Sequence, residues 1–166
     1  RAACLEAAAH IKSGGGRIGF SLSDTFCIER HKPDFLNFFA CNIDILLANF
    51  AEAQALLDVT DMADIIAAMQ YAGVDGAITC GAEGAVIVHG DEAVRVDAHA
   101  VEEVTDLTGA GDQFAAGYLC GVARGNDAQT CGRMGALAAA EVIQHFGPRP
   151  EKDLRAVFAK HGFEIS

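Results

Sequence analysis

The chain is 166 residues long and 51% hydrophobic, enough to bury about two thirds of its unfolded surface around one core. Its formal net charge of −11 argues against a nucleic-acid partner, because phosphate backbones recruit lysine and arginine patches that are missing here. No apolar run reaches the roughly 18 charge-free residues of a membrane-spanning helix, so a membrane partner is not expected either.

The chain opens on AACLEAAAHIK, a helix already under way behind Arg1, without the apolar core and cleavage pattern of a signal peptide. The expectation is an N-terminally truncated chain. Arg17 to Leu22 is a short strand candidate, followed by a helix near Pro33 to Phe39. His31, beside Arg30 in CIERHKPDF, reads as part of a solvated basic turn. Asp44 to Ala48 has the continuous apolar character of a buried strand, and helices follow at Glu52 to Leu57 and Asp61 to Ala72. Gly76 to Cys80 is a third strand. Ala85 to His89 and Ala93 to Asp97 flank Gly90, Asp91 and Glu92 and read as an antiparallel hairpin. Helices then dominate, at Asp112 to Arg124, Ala128 to His145 and Glu151 to His161, with Pro148 and Pro150 punctuating the last connection. Strands alternating with helices imply an α/β domain with a mostly parallel sheet and crossover helices, spanning 1–166 as one unit. Cys4, Cys27, Cys41, Cys80, Cys120 and Cys131 contain no C-x-x-C pair and fall largely in apolar segments. They read as reduced, mostly buried thiols of a cytoplasmic protein, and neither they nor the six histidines show metal-ligand spacing.

The most informative stretch is DLTGAGDQFAAGYLCGVARG, from Asp106 to Gly125. Gly109 and Gly111 flank Ala110, so the backbone can turn tightly and present consecutive N–H groups at the start of a helix, where the macrodipole favours an anion. A carboxylate on that turn, Asp112, would repel a phosphate that was merely held. It makes chemical sense as a base that takes the proton of a hydroxyl attacking phosphorus, while the amides stabilise the charge that develops. The other reading of the same residues is a glycine turn with Asp112 as the helix N-cap.

Two further segments stand after predicted strands, at the strand ends where open α/β sheets bind ligands. In LANFAEAQAL, Asn49 and Glu52 form an N-x-x-E pair that either orders water around magnesium or caps the next helix. In ITCGAEGAVIV, Thr79, Gly81 and Gly84 form T-x-G-x-x-G, either a loop that lets backbone reach a nucleotide or a glycine turn that binds nothing.

Three motifs in this order resemble the ribokinase-like (PfkB) family of carbohydrate and nucleoside kinases, from about Arg17 to Arg149, roughly the second half of such a kinase. Leu107 stands where the family usually has threonine. The resemblance implies a three-layer α/β/α sandwich with an added antiparallel hairpin, lacking here the N-terminal half and lid. It implies an ATP-dependent transfer of the γ-phosphate to a hydroxymethyl group of a sugar or nucleoside. Asp112 would be the base, with the amides of Gly109, Ala110 and Gly111 as the anion hole. Asn49 and Glu52 would handle magnesium and its waters, Thr79, Gly81 and Gly84 the ATP phosphates or ribose, and Ala136 to Gly147 the adenine side. Asp106 and the Thr108 carbonyl resemble positions that hold a monovalent cation, K+, in potassium-activated members. The stretch SLSDTFCIERHKPDF resembles the adenosine-kinase-like branch, and a homodimer would form through the missing lid.

Two rival functions use other features. A noncatalytic nucleotide-sensing module would keep the phosphate loop but has no need of Asp112. A Rossmann dehydrogenase using NAD needs its glycines after the first strand, whereas GGGRIG places them before it.

Overall fold

The computed structural model describes residues 2–164. Arg1, which carries the expectation of a truncated start, lies outside the described residues, as do the last two residues of the 1–166 domain expectation. The elements in chain order are α1 (Ala2–Ser13), β1 (Gly19–Ser21), α2 (Thr25–Cys41), β2 (Ile45–Asn49), α3 (Phe50–Leu57), α4 (Met62–Ala72), β3 (Asp75–Thr79), β4 (Ala85–His89), β5 (Glu92–Val96), α5 (Ala110–Ala123), α6 (Ala128–Val142) and α7 (Leu154–Lys160). The strands form one sheet in the order β1-β2-β3-β4-β5. The chain divides into two compact units, one running through Ile78 and taking in Val88–Ala93, the other holding Thr79–Ile87 and the chain from Val94 onward.

In the first unit β1 runs parallel to β2, with Gly19 opposite Ile45, Phe20 opposite Leu46 and Ser21 opposite Leu47. Ile45 to Ala48 are all buried, as expected of a parallel strand covered on both faces. Ile28, Leu46, Leu56, Ile65, Met69 and Ile78 form the centre of its core. The helix expected near Pro33 begins well before it, at Thr25, where the Asp24 side chain caps it by accepting from the Phe26 amide. It breaks step at His31 (φ −126°, ψ 25°), because the ring of Pro33 cannot fit against the carbonyl one turn back. Asp75, at the start of β3, accepts from Arg17 at 2.8 Å and from the Gly90 amide at 3.0 Å, with His89 Nδ1 also at 3.0 Å. Burial pulls its carboxyl upward, but the Gly90 amide, His89 and Arg17 outweigh this and hold it below the usual carboxylate range.

In the second unit α5 and α6 pack through small residues rather than large ones. A Cβ on Gly117 would stand 2.4 Å from the Met134 carbonyl oxygen, and one on Gly121 would stand 2.9 Å from Cys131 Sγ. Gly132, in turn, faces Ile87 and Val96 of β4 and β5. Gly117 and Gly121 of α5 thus lie directly against α6.

The cysteines require a correction. Only Cys131 is buried; Cys80 and Cys120 are half-buried, while Cys4, Cys27 and Cys41 on α1 and α2 are exposed. An apolar sequence neighbourhood does not select a helix face when the repeat is 3.6 residues. Burial, helped by the Asp127 charge, pushes the Cys131 thiol up to about 11. No helix among the described residues is long and apolar enough to cross a membrane.

Gly76 is the tightest point between β2 and β3. Its φ is +152°, and a Cβ there would lie 1.9 Å from the Leu46 carbonyl oxygen. Gly76→Ala is expected to destabilise the chain by at least about 2 kcal/mol, because strain and backbone collision act together. A fall in the denaturant midpoint at constant slope is the measurement.

Candidate active site

The turn singled out in the sequence leads into α5. Its N-cap is Gly109, at φ +81° and ψ 0°, with no side-chain cap. Asp112 is therefore not the N-cap; it is the third helical residue, exposed, in the first turn where a negative charge is favourable. The Ala110 amide donates to the Leu107 carbonyl at 3.1 Å. Among the described residues no acceptor meets the amides of Gly109, Gly111 and Asp112, the orphan donors that a helix start leaves.

The two glycines differ physically. A Cβ on Gly109 would lie 2.6 Å from Pro148 Cβ and 2.8 Å from Pro148 Cα, in addition to the left-handed backbone. A Cβ on Gly111 would meet nothing within 4 Å. Folding demands the first glycine and leaves open space over the second.

Asp106 builds a clamp beneath the turn. Its Oδ1 accepts from the Thr108 amide at 2.9 Å and the Thr108 hydroxyl at 2.7 Å, and its Oδ2 accepts from the Gly147 amide at 3.0 Å. The Gly147 amide, then the Thr108 amide and hydroxyl, hold the Asp106 carboxyl below the usual carboxylate range. Leu107, which departs from the family threonine, is 68% exposed and leaves the clamp undisturbed. Residues 143–152 form an irregular strap beside the turn. The Ile143 carbonyl accepts from the Thr105 amide at 2.8 Å and the Asp106 amide at 3.3 Å, and the Pro148 carbonyl accepts from Gln113 Nε2 at 3.1 Å. Sequence reasoning missed Gln113, and saw in Pro148 only punctuation, because no motif marks either role and their contact is made by the fold alone.

The other two motifs are formed as follows. Asn49, at the end of β2, caps α3 by accepting from the Glu52 amide at 2.8 Å, and Glu52 Oε2 accepts from the Asn49 amide at 2.9 Å. That is a complete capping box, with Glu52 buried and Asn49 exposed. Among the described residues no group of three or more His, Cys, Asp and Glu side chains is arranged to hold a metal. Thr79 ends β3, and Gly81 begins a short 3-10 turn to Glu83. A Cβ on Gly81 would meet no atom within 4 Å, whereas one on Gly84 would lie 2.0 Å from the Val96 carbonyl oxygen. Gly84 is thus required by the close approach of β5, and Gly81 leaves its backbone open.

The pfkB family carbohydrate kinase model matches residues 1–154. The chain belongs to the pfkB family. Among solved structures, this pfkB-family chain is 39% identical to the adenosine kinase from Sinorhizobium meliloti, with a TM-score of 0.88 over 95% of this chain and 48% of that one. It is 36% identical to a probable sugar kinase protein from Rhizobium etli, with a TM-score of 0.91 over the same shares of the two chains, 95% and 48%. The Methanocaldococcus jannaschii nucleoside kinase, a ribokinase-family member, is 24% identical with a TM-score of 0.68, covering 80% of this chain and 43% of that one, a likeness of fold. The ribokinase-like α/β fold expected from the motifs is the one found. The chain spans about half the length of these relatives.

Gly109→Ala is expected to cost at least about 1–3 kcal/mol, from left-handed backbone and the collision with Pro148. Gly111→Ala is expected to be neutral or to stabilise by up to about 1 kcal/mol, as alanine favours the helix. Paired denaturation curves of the two variants check this contrast.

Proposed function

We propose that this chain is the nucleotide-binding and catalytic part of an ATP-dependent kinase that transfers the γ-phosphate to a hydroxymethyl group of a sugar or nucleoside. An adenosine-like nucleoside is the favoured acceptor, on the SLSDTFCIERHKPDF stretch and the 39% identity to an adenosine kinase. The observation that carries the reading is the start of α5: unpaired amides at Gly109, Gly111 and Asp112, open space over Gly111, and an exposed carboxylate on the same helical turn. A turn built only for folding would need Gly109 and not Gly111.

In this reading Asp112 accepts the proton of the acceptor hydroxyl as its oxygen attacks phosphorus. The turn of Gly109, Ala110 and Gly111, with the helix start behind it, stabilises the charge that develops on the transferred group. Asn49 and Glu52 act on magnesium through water, a role compatible with the capping box because the box engages only Oε2 of Glu52. Thr79 and Gly81 serve the ATP phosphates or ribose, with Gly84 shaping that loop, and the stretch Ala136 to Gly147 serves the adenine through apolar contacts alone. Residues 1–166 are read as part of one cytoplasmic α/β kinase domain, and a homodimer through a lid such as these kinases carry belongs to the same reading.

Asp112→Asn, in the longest chain the gene encodes, is expected to lower kcat at least about a hundredfold, the low end of what a positioned base supplies. ATP affinity should hold or improve, because a negative charge facing the phosphates is removed. Gly111→Ala should lower turnover while stability is kept. Phosphoryl transfer to a panel of sugars and nucleosides is the assay, and near-parental turnover by the asparagine variant would overturn the base assignment. ATP binding with no transfer to any acceptor is the outcome a sensor would give. Higher rates in potassium chloride than in matched sodium chloride are expected if Asp106 and the Thr108 carbonyl hold a monovalent cation.

A further inference from the structure

Two carboxylates are buried among the described residues, Glu52 and Glu141. Glu52 completes a capping box. Glu141, 3% exposed on the last turn of α6, is the one carboxylate of the 136–147 stretch, and the apolar adenine contacts proposed for that stretch give it no role of its own. A buried carboxylate is strongly unfavourable unless its oxygens are hydrogen-bonded. Here Oε1 accepts from the amides of Glu151 at 3.2 Å and Lys152 at 2.9 Å, and Oε2 lies 3.4 Å from Nε2 of His145. An apolar side chain of similar volume would stabilise α6 as well or better. It could not accept two amides of an irregular segment, which would then be left unpaired.

Those two amides are the far end of the strap. Its nearer part touches the turn repeatedly: the Ile143 carbonyl at the amides of Thr105 and Asp106, the Gln144 carbonyl at the Thr105 hydroxyl, the Gly147 amide at Asp106, and Pro148 against Gly109 and Gln113. We infer that Glu141 is a positioning residue for phosphoryl transfer: by holding the amides of Glu151 and Lys152 it fixes the strap, and the strap fixes the turn that presents Gly111 and Asp112. The inference rests on the phosphotransfer reading for its consequence in rate, but its structural half stands apart from it. A turn that wavers by an ångström still admits nucleotide, yet loses the alignment of base and amides with the reacting group.

Three variants of the longest chain the gene encodes separate reach from charge. Glu141→Gln keeps both the reach and an acceptor oxygen, so hydrogen exchange in the 106–113 segment and kcat should stay within about threefold of the parent. Glu141→Leu fills the volume but accepts nothing; exchange in that segment should rise, and kcat fall, by at least about tenfold, with KM for ATP within about threefold. Glu141→Asp keeps the charge but is one methylene short, and should move in the same direction as Glu141→Leu, which it replaces if the leucine variant does not fold. Parental exchange and kcat in the leucine or aspartate variant, or a glutamine variant as impaired as the leucine one, overturns the inference. If the parent transfers no phosphoryl group, the functional reading has failed, and the exchange arm decides the positioning: faster exchange at 106–113 supports it, and unchanged protection overturns it.

Discussion

The backbone passes through Gly109 at φ +81° with Pro148 pressed against the position a side chain would take. That single close approach sets the direction in which α5 leaves the turn, and so decides which amides have no partner. The Asp106 clamp acts on the same joint, joining Thr108 to Gly147 through one carboxylate. A loop held at several points loses little further entropy when it meets a ligand, which is the physical content of preorganisation. The cost falls on sequence freedom, since neither Gly109 nor the opposing strap can vary alone.

Electrostatics in this chain are local. A net charge of −11 does not by itself exclude a local site for an anion. Charges beyond a Debye length of about 8 Å at physiological salt are largely screened, whereas orphan amides and a helix start act at contact distance. The same local logic explains the low-lying carboxyl of Asp106: the Gly147 and Thr108 donors set it, and the acidic surroundings do not. Buried Glu141 is likewise stabilised by near donors, two of them backbone amides.

The glycines of this molecule that lack a left-handed turn to explain them, and Gly76 and Gly84 between strands, differ in what a side chain would meet. At Gly76 and Gly84 one strand's backbone comes too near a carbonyl for any side chain, at Gly117 and Gly121 two helices do the same, and at Gly111 nothing in the protein objects to a side chain at all. Glycines of the first two kinds are explained by packing. The third kind is unexplained by the fold and is for that reason the informative one.

Much of the local architecture was legible in the sequence. Apolar runs bounded by turn residues located all five strands within one or two residues, and Asn49 with Glu52 announced a capping box that the structure forms in full. These features depend on neighbours close in the chain, where residue type and periodicity carry the physics. The tertiary structure alone decided the rest. Asp112 became the third residue of its helix because Gly109 turned left-handed against Pro148, about forty residues away in sequence. The helix of α2 extended back past its proline because the Asp24 cap and the buried Ile28 outweighed a kink at His31. Three cysteines in apolar stretches faced solvent because the helix face, and not the neighbourhood, sets burial. Pro148 carried no motif, and Gly147 and Glu141 stood in a stretch the sequence assigned only to the adenine side, since what makes them matter to the turn is an approach between segments distant along the chain, and only the folded backbone brings those amides and carboxylates within hydrogen-bonding distance.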